Sequence, residues 1–334
     1  MVDPTVISRR TLFFVPLALA ACKDRTNIMQ FTGTTMGTTY SIVAVDADGV
    51  LSRSKVEGSI ETVLADVNAQ MSNWDPSSEV ARFNAAGTEP FTVSPAFANV
   101  MAAAQEVKRL SDGHFDVAVG ELIDAWGFGA AINTETMPSD TEIASALSTV
   151  GDIEVTPDAL QKETAGTQIY LSSIGKGYGV DAIGAALAAL GIENYMVEIG
   201  GDLLTAGVNP DGNPWQIGVE APTVLSGVQQ VLGVSGKGLA TSGDYRNYFE
   251  RDGQRYSHIL DAATGHPITH KTASATVVTE NAMLADAWST AMLILGSETG
   301  LALADALDIA VLFIDRDGDG FATLESAAME TLTA

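Results

Sequence analysis

Residues 195–260 read YMVEIGGDLLTAGVNPDGNPWQIGVEAPTVLSGVQQVLGVSGKGLATSGDYRNYFERDGQRYSHIL. Short runs at 195–199, 203–207, 215–220, 228–235 and 256–260 are rich in β-branched and aromatic residues, and Gly, Asn and Pro separate them. That punctuation predicts a succession of strands with tight turns. Further strands are predicted at 31–45, 168–174, 274–279, 309–314 and 321–324. Helical spacing of apolar residues appears at 55–71, and Ser94, Pro95, Lys108, Arg109 and Gly113 cap and close a second helix. Helices also read at 139–150, at 177–190 (stopped by Gly191), at 282–295 (ended by Gly296) and near 298–307. No regular βα alternation and no internal repeat is present, so the fold class is α+β, mostly antiparallel sheet in a two-lobed single unit.

The chain has 334 residues, 46% of them hydrophobic and 18% charged, which is ample material for a core. Lys and Arg total 17 against 42 Asp and Glu, a formal net charge of −25. A nucleic-acid partner is excluded on that balance, because phosphate backbones need clustered cations. Any phosphorylated ligand must instead be met by local positive charge, most simply a metal ion.

Residues 1–21 read as an export signal. Arg9 and Arg10 precede an apolar run too short for a permanent span, in a twin-arginine-like context. Leu19, Ala20, Ala21 and Cys22 form a lipobox-like end, with Cys22 as the lipidation site. Residues 22–30 read as a tether and 31–334 as the folded unit. Cleavage after residue 21 leaves 15 basic and 41 acidic residues. No later segment reads as transmembrane, so the expected place is the periplasm, with a lipid anchor the sole membrane contact. A single cysteine leaves no internal disulfide to form.

Several segments hold more Gly and polar residues than their elements need. At 171–181, LSSIGKGYGVD, a strand–glycine turn–helix aims backbone N–H groups and Lys176 at an anion; a plain tight turn has the same spelling. Asp286 and Thr290 lie four apart, on one helical face, where a carboxylate and a hydroxyl can hold a hard cation; a core-facing threonine beside a solvated acid fits the spacing equally. His258 lies on an apolar strand beside Asp261, either as a structural histidine or as half of a His–Asp base. The run 315–320, DRDGDG, has calcium-loop spelling but strand-like flanks and no glutamate at position twelve, so it reads as an acidic hairpin turn.

Eight of these segments, TTMGTTYSI, MSNWDPSSEVARFN, GHFDVAVGELIDAWGFG, LSSIGKGYGVD, VEIGGDL, ATSGDYRNYF, YSHILDAATGHPI and MLADAWSTAMLILG, resemble in wording and order the ApbE family of FAD:protein FMN transferases. The resemblance runs from about residue 31 to 324. It implies Mg²⁺-dependent cleavage of FAD, transfer of FMN to a Thr or Ser hydroxyl of a partner protein, and release of AMP. It implies Asp286, Thr290 and the Ser173 carbonyl (Gly175 is the alternative) as metal ligands. It implies flavin contacts at Met36, Trp74, Asp116, Val117 and Ala118, and FAD contacts at Lys176 and near Leu260. His258 then activates the attacking hydroxyl, and Lys176 holds phosphate oxygens. Two departures stand out: Tyr170 where relatives commonly carry Asp, and Trp74 where Tyr is frequent. The implied acceptors are exported flavoproteins, such as Nqr- or Rnf-type subunits or the membrane regulator of nitrous oxide reduction. A Mg²⁺-dependent FAD pyrophosphatase and a non-enzymatic periplasmic flavin carrier are the competing expectations.

Overall fold

The computed structural model describes residues 27–129, 137–223 and 227–333. The export signal and Cys22 lie outside these residues. The first described segment is a hairpin, β1 (Asn27–Thr35) and β2 (Thr38–Asp46), turning through Met36 and Gly37, both at positive φ. Two expectations are corrected here. Residues 27–30 are not tether but the start of β1, paired with 43–46, and 31–45 is two strands rather than one. Alternate burial of Met29 and Phe31 explains why this edge is ordered: those side chains reach the core while their neighbours face out.

Helices α1 (Arg53–Met71), α2 (Glu79–Ala85) and α3 (Pro95–Leu110) follow, with β3 (Phe91–Thr92) between the last two. In α3 the Ser94 side chain accepts from the Phe97 amide and Pro95 starts the first turn, as its sequence requires. Phe97, Val100, Met101, Ala104 and Val107 line its buried face, and each larger side chain contributes about 1.5–3 kcal/mol of burial. Then come α4 (Gly120–Ala125), α5 (Asp140–Leu147), β4 (Ile153–Val155) and β5 (Ala159–Lys162); β3, β5 and β4 make a small sheet. Helix α6 (Gly175–Ala189) leads into β6 (Asn194–Ile199) and β7 (Asp202–Ala206).

A ribbon of β8 (Trp215–Glu220) and β9 (Val228–Val234) precedes β10 (Gly238–Gly243). The pairs β11 (Tyr248–Arg251) with β12 (Gln254–Ser257), and β13 (Leu260–Asp261) with β14 (His266–Pro267), are separate two-stranded sheets. The chain continues through β15 (Thr272–Thr279), α7 (Ala282–Leu307), β16 (Ala310–Asp317), β17 (Gly320–Glu325) and α8 (Ala327–Thr333). The acidic run 315–320 is the β16–β17 hairpin.

The main sheet has eight strands in the order β1-β2-β6-β7-β10-β15-β16-β17, every neighbouring pair antiparallel. Its strands are apolar on both sides because both faces are covered. Ile42 and Ala44 face the α1–α6 core while Val43 faces the β8–β9 ribbon; Val311 and Phe313 face α7 while Leu312 and Ile314 face the ribbon side. By length and composition α7 is long and apolar enough to cross a membrane, against the expectation that no later segment is. It is nonetheless broken at Gly296 (φ 71, ψ 171), as its sequence predicts, and Ala285, Ala287, Ala291, Met292 and Leu293 are fully buried against the sheet.

Candidate active site

The predicted strand at 168–174 is irregular chain. Its pattern is strand-like because Ile169 and Leu171 are buried and their neighbours are not, yet side chains take the place of a neighbouring strand. Asn84 Oδ1 accepts from the Ile169 amide at 2.8 Å and Asn73 Oδ1 from the Leu171 amide at 3.0 Å. Both asparagine Nδ2 groups donate to the Ile169 carbonyl, at 2.7 and 2.9 Å. The Tyr170 amide donates to the Val117 carbonyl at 2.8 Å. Two asparagines thus hold the lead into the turn 172–174 and the first turn of α6.

At that turn Gly177 lets α6 touch α7: a Cβ there would sit 2.2 Å from the Ala282 carbonyl oxygen. The Gly177 amide donates to Asp286 Oδ2 at 3.1 Å, outside its own helix. The Ser173 carbonyl, which that amide would otherwise satisfy, accepts no hydrogen bond among the described residues. Lys176 Nζ lies 2.9 Å from Asp202 Oδ2, 3.2 Å from Asp286 Oδ1 and 3.2 Å from the Ser172 carbonyl. Asp202 and Asp286 are 3% and 2% exposed, so this is a buried acid–base–acid trio. Burial opposes the charge on Lys176, but the two carboxylates outweigh it and hold its pKa above the ordinary value. Burial first, then the proximity of Asp286, pushes the Asp202 carboxyl well up, and Lys176 opposes them.

Thr290 Oγ1 is 3.0 Å from Ser242 Oγ, which also lies 2.9 Å from Ser289 Oγ. At the start of α7, Asp181 from α6 accepts from the Ala282 and Met283 amides, both at 2.8 Å. Burial, aided by Asp286 and Glu280, raises its pKa to about 6 against those two bonds. The local oxygens are carboxylate, hydroxyl and an unsatisfied carbonyl, the donor chemistry of a hard cation. Among the described residues no group of three or more His, Cys, Asp or Glu converges on one point; a hard cation also takes hydroxyl and carbonyl oxygens. The residues therefore fit Mg²⁺.

His258 sits between β12 and β13, half-buried, and not in partnership with Asp261. Its Nδ1 is 3.0 Å from the Asn247 carbonyl, while Asp261 engages His114 Nδ1 at 3.0 Å. The expected His–Asp pair fails because residues three apart in extended chain point to opposite faces. Burial chiefly, with Lys176 adding, lowers the His258 pKa; the Asn247 bond and Asp244 oppose them. The imidazole is thus neutral near pH 7 and able to accept a proton.

Trp74 is 58% exposed and meets Tyr170 edge-on at 5.7 Å, so its face is open for stacking. Burial, with Asp124, pushes the Tyr170 hydroxyl up to about 12, which keeps it a hydrogen-bond donor. Met36 packs on the face of α6 at Gly179, where a Cβ would lie 2.7 Å from Met36 Cε. Its hairpin tip borders an open recess of about 400 Å³. Asp116, Val117 and Ala118 are buried; the Asp116 carboxylate meets Lys108 at 2.8 Å and the Ala118 amide at 2.8 Å. Leu260 is buried among Leu122 and Trp126. The side chains of these four build the scaffold.

Lys176 and Asp286 meet in an ion pair, Thr290 lies one helical turn beyond Asp286 on α7, and Ser173 lies in the turn that leads into Lys176, with His258 close enough to feel the charge of Lys176. Asp202, Asn73, Asn84, Ser242 and Asp244 were not singled out. Asp202 carries no signal in the sequence: directly after Gly200-Gly201 it reads as a solvated turn acid.

The ApbE family model matches residues 36–313. The chain belongs to the ApbE family. A relative from Haemophilus influenzae, an FAD:protein FMN transferase, is 40% identical over 328 residues, spanning 95% of each chain. The solved flavin transferase ApbE of Vibrio cholerae superposes with a TM-score of 0.86 at 38% identity, covering 92% of this chain and 99% of that one. The apo flavinyl transferase ApbE of Pseudomonas stutzeri gives 0.85 at 39% identity, covering 92% and 97%. The α+β architecture with its antiparallel sheet is the ApbE fold.

Proposed function

We propose that this chain transfers the FMN half of FAD to a Thr or Ser hydroxyl of a partner protein, in a Mg²⁺-dependent reaction that releases AMP. The observation that carries the proposal is the buried trio of Asp202, Lys176 and Asp286, with Thr290 and a Ser173 carbonyl that no described residue engages beside it. Two buried carboxylates against one ammonium make this a place that draws in a further cation, in a chain of net charge −25 that has few of its own to spare. Asp286, Thr290 and the Ser173 carbonyl would hold the ion. When bound, such an ion neutralises charge on the pyrophosphate and on the departing AMP.

The chain's own groups do the rest. Phosphoryl transfer needs positioning and charge compensation more than covalent chemistry from the protein. Lys176 supplies a fixed cation for phosphate oxygens. The hydroxyl oxygen forms a bond to the FMN phosphorus as the pyrophosphate bond breaks. His258 takes the hydroxyl proton on Nε2, the nitrogen its Asn247 bond leaves free. Trp74 and Met36 offer a stacking face and an apolar wall for the isoalloxazine.

Incubation with FAD, Mg²⁺ and an exported flavoprotein or its Thr/Ser peptide tests this. Flavin fluorescence that stays on the acceptor after denaturation is the expected result. Free FMN and AMP alone would identify a pyrophosphatase, and no turnover in wild type or Asp286→Ala would identify a carrier. Export and lipid anchoring through Cys22 belong to the same proposal, since Nqr- and Rnf-type subunits and the nitrous oxide regulator are membrane-associated acceptors. Loss of membrane retention in Cys22→Ser is the expected check.

A further inference from the structure

We infer that the ion pair of Asp244 and Arg316 is the positioning element that fixes the ring orientation and tautomer of His258, acting through the turn 244–247. The inference rests on His258 being the base of the proposed transfer.

One acceptor holds His258 twice. Its backbone N–H and its Nδ1 both lie 3.0 Å from the Asn247 carbonyl oxygen. A carbonyl only accepts, so Nδ1 carries the proton and Nε2 keeps its lone pair for the incoming hydroxyl. Where Nε2 points is therefore decided by where the Asn247 carbonyl sits.

Asn247 is the last residue of a four-residue turn between β10 and β11. The β11–β12 ladder pairs Tyr248 with Ser257 and so sets Asn247 opposite His258, but that sheet shares no ladder with the main sheet, so this pairing does not place the two residues relative to β10 and α6. Its near side is rooted at Asp244. The Asp244 amide donates to the Ala273 carbonyl at 3.1 Å, continuing the β10–β15 ladder. The Asp244 side chain is 9% exposed and its carboxylate receives Arg316 Nη2 at 2.5 Å. Arg316 is itself seated on β16, its amide bonded to the Lys271 carbonyl at 2.9 Å. A second tie, Arg246 to Glu220 on β8, joins two solvated side chains and so holds the turn less firmly. The Phe128 ring meets the imidazole at 6.3 Å and packs it without setting its proton. Asp244 from the turn and Lys176 from α6 are the charged groups that face the imidazole. Asp244 thus places the turn, and its charge also favours the imidazolium that forms when Nε2 is protonated.

The tautomer is read directly from the ¹⁵N shifts of His258 in uniformly ¹⁵N-histidine-labelled protein, with the signal assigned by its loss in His258→Gln. Wild type should show a single Nδ1–H tautomer. Asp244→Asn, which keeps the side-chain shape, and Arg316→Ala should both admit the Nε2–H form. Transfer kcat should fall by about 10- to 100-fold, the scale for a misplaced catalytic group, while the Kd for FAD is unchanged. Arg316→Lys should restore part of both readouts. An Nε2–H tautomer in wild type, or an unchanged tautomer in Asp244→Asn and Arg316→Ala, overturns the inference. Should Arg316→Ala not fold, Asp244→Asn and Arg316→Lys carry the same comparison. Wild-type transfer by His258→Gln would sink the base role in the proposed reaction and leave the tautomer result to be judged apart from it.

Discussion

Replacing Lys176 with Met exposes the logic of the buried trio. The side chain lies between Asp202 and Asp286, which are 3% and 2% exposed and which face each other once the ammonium is gone. Removing one partner of a buried ionic group costs about 3–5 kcal/mol, because an uncompensated charge remains. The lower end applies, since the Lys176 side chain is 27% exposed and water can reach part of the space it leaves. The effect must depend on pH. Asp202 already has a folded pKa well above the ordinary carboxylate value, so its contribution to stability is present at low pH and is lost as pH rises through that value. Without Lys176 the pKa climbs further, so the penalty in the variant grows as pH rises. Urea denaturation at both pH values, with and without millimolar Mg²⁺, reads this. Lys176→Met should lose roughly 3 kcal/mol at pH 8, lose less at pH 5, and regain part of the deficit with Mg²⁺. Equal stability of variant and wild type at pH 8 without Mg²⁺ would refute the trio as an electrostatic unit.

Asp181, whose pKa is raised to about 6, binds more protons folded than unfolded, so its contribution to stability falls as pH rises through that value. Between pH 4.5 and 7.5 wild type should lose ~2 kcal/mol relative to Asp181→Asn in a pH series of unfolding curves. Asn73→Ala leaves the Leu171 amide without its partner, a cost of about 1–3 kcal/mol by denaturant unfolding; the Mg²⁺ concentration for half-maximal transfer should rise with it. Trp74→Ala should change Tm little, given 58% exposure, yet weaken FAD binding measured by fluorescence quenching, since a stacked aromatic pair contributes about 0.5–1.5 kcal/mol.

Local signals were legible wherever the chain supplied its own partners. Helix α3 is written in Ser94, Pro95 and its closing basic residues, and the break in α7 is written in Gly296. Asp286 and Thr290 were legible because helical spacing alone puts them on one face. The first hairpin was not, since Met36-Gly37 is a rarer spelling of a left-handed turn than Asn-Gly and hides in a Thr-rich run. The segment 168–174 was misread because alternation reports burial, and burial does not say whether a strand or an asparagine receives the hydrogen bonds. Asp202 and Asp244 were invisible for a related reason: an acid beside glycine has the spelling of a solvated turn, and only the distant Lys176 and Arg316 explain their burial.

The asparagine clamp has a kinetic consequence. Asn73 and Asn84 reach residues 85 to 98 positions away along the chain to hold Ile169 and Leu171. Contacts of such separation must first meet the entropy of closing a long loop, and they form late in folding. The turn carrying Ser173 and Lys176 therefore gains its shape after the helices and hairpins around it, so a chain still emerging from the ribosome, or cut before residue 169, presents no half-built version of it.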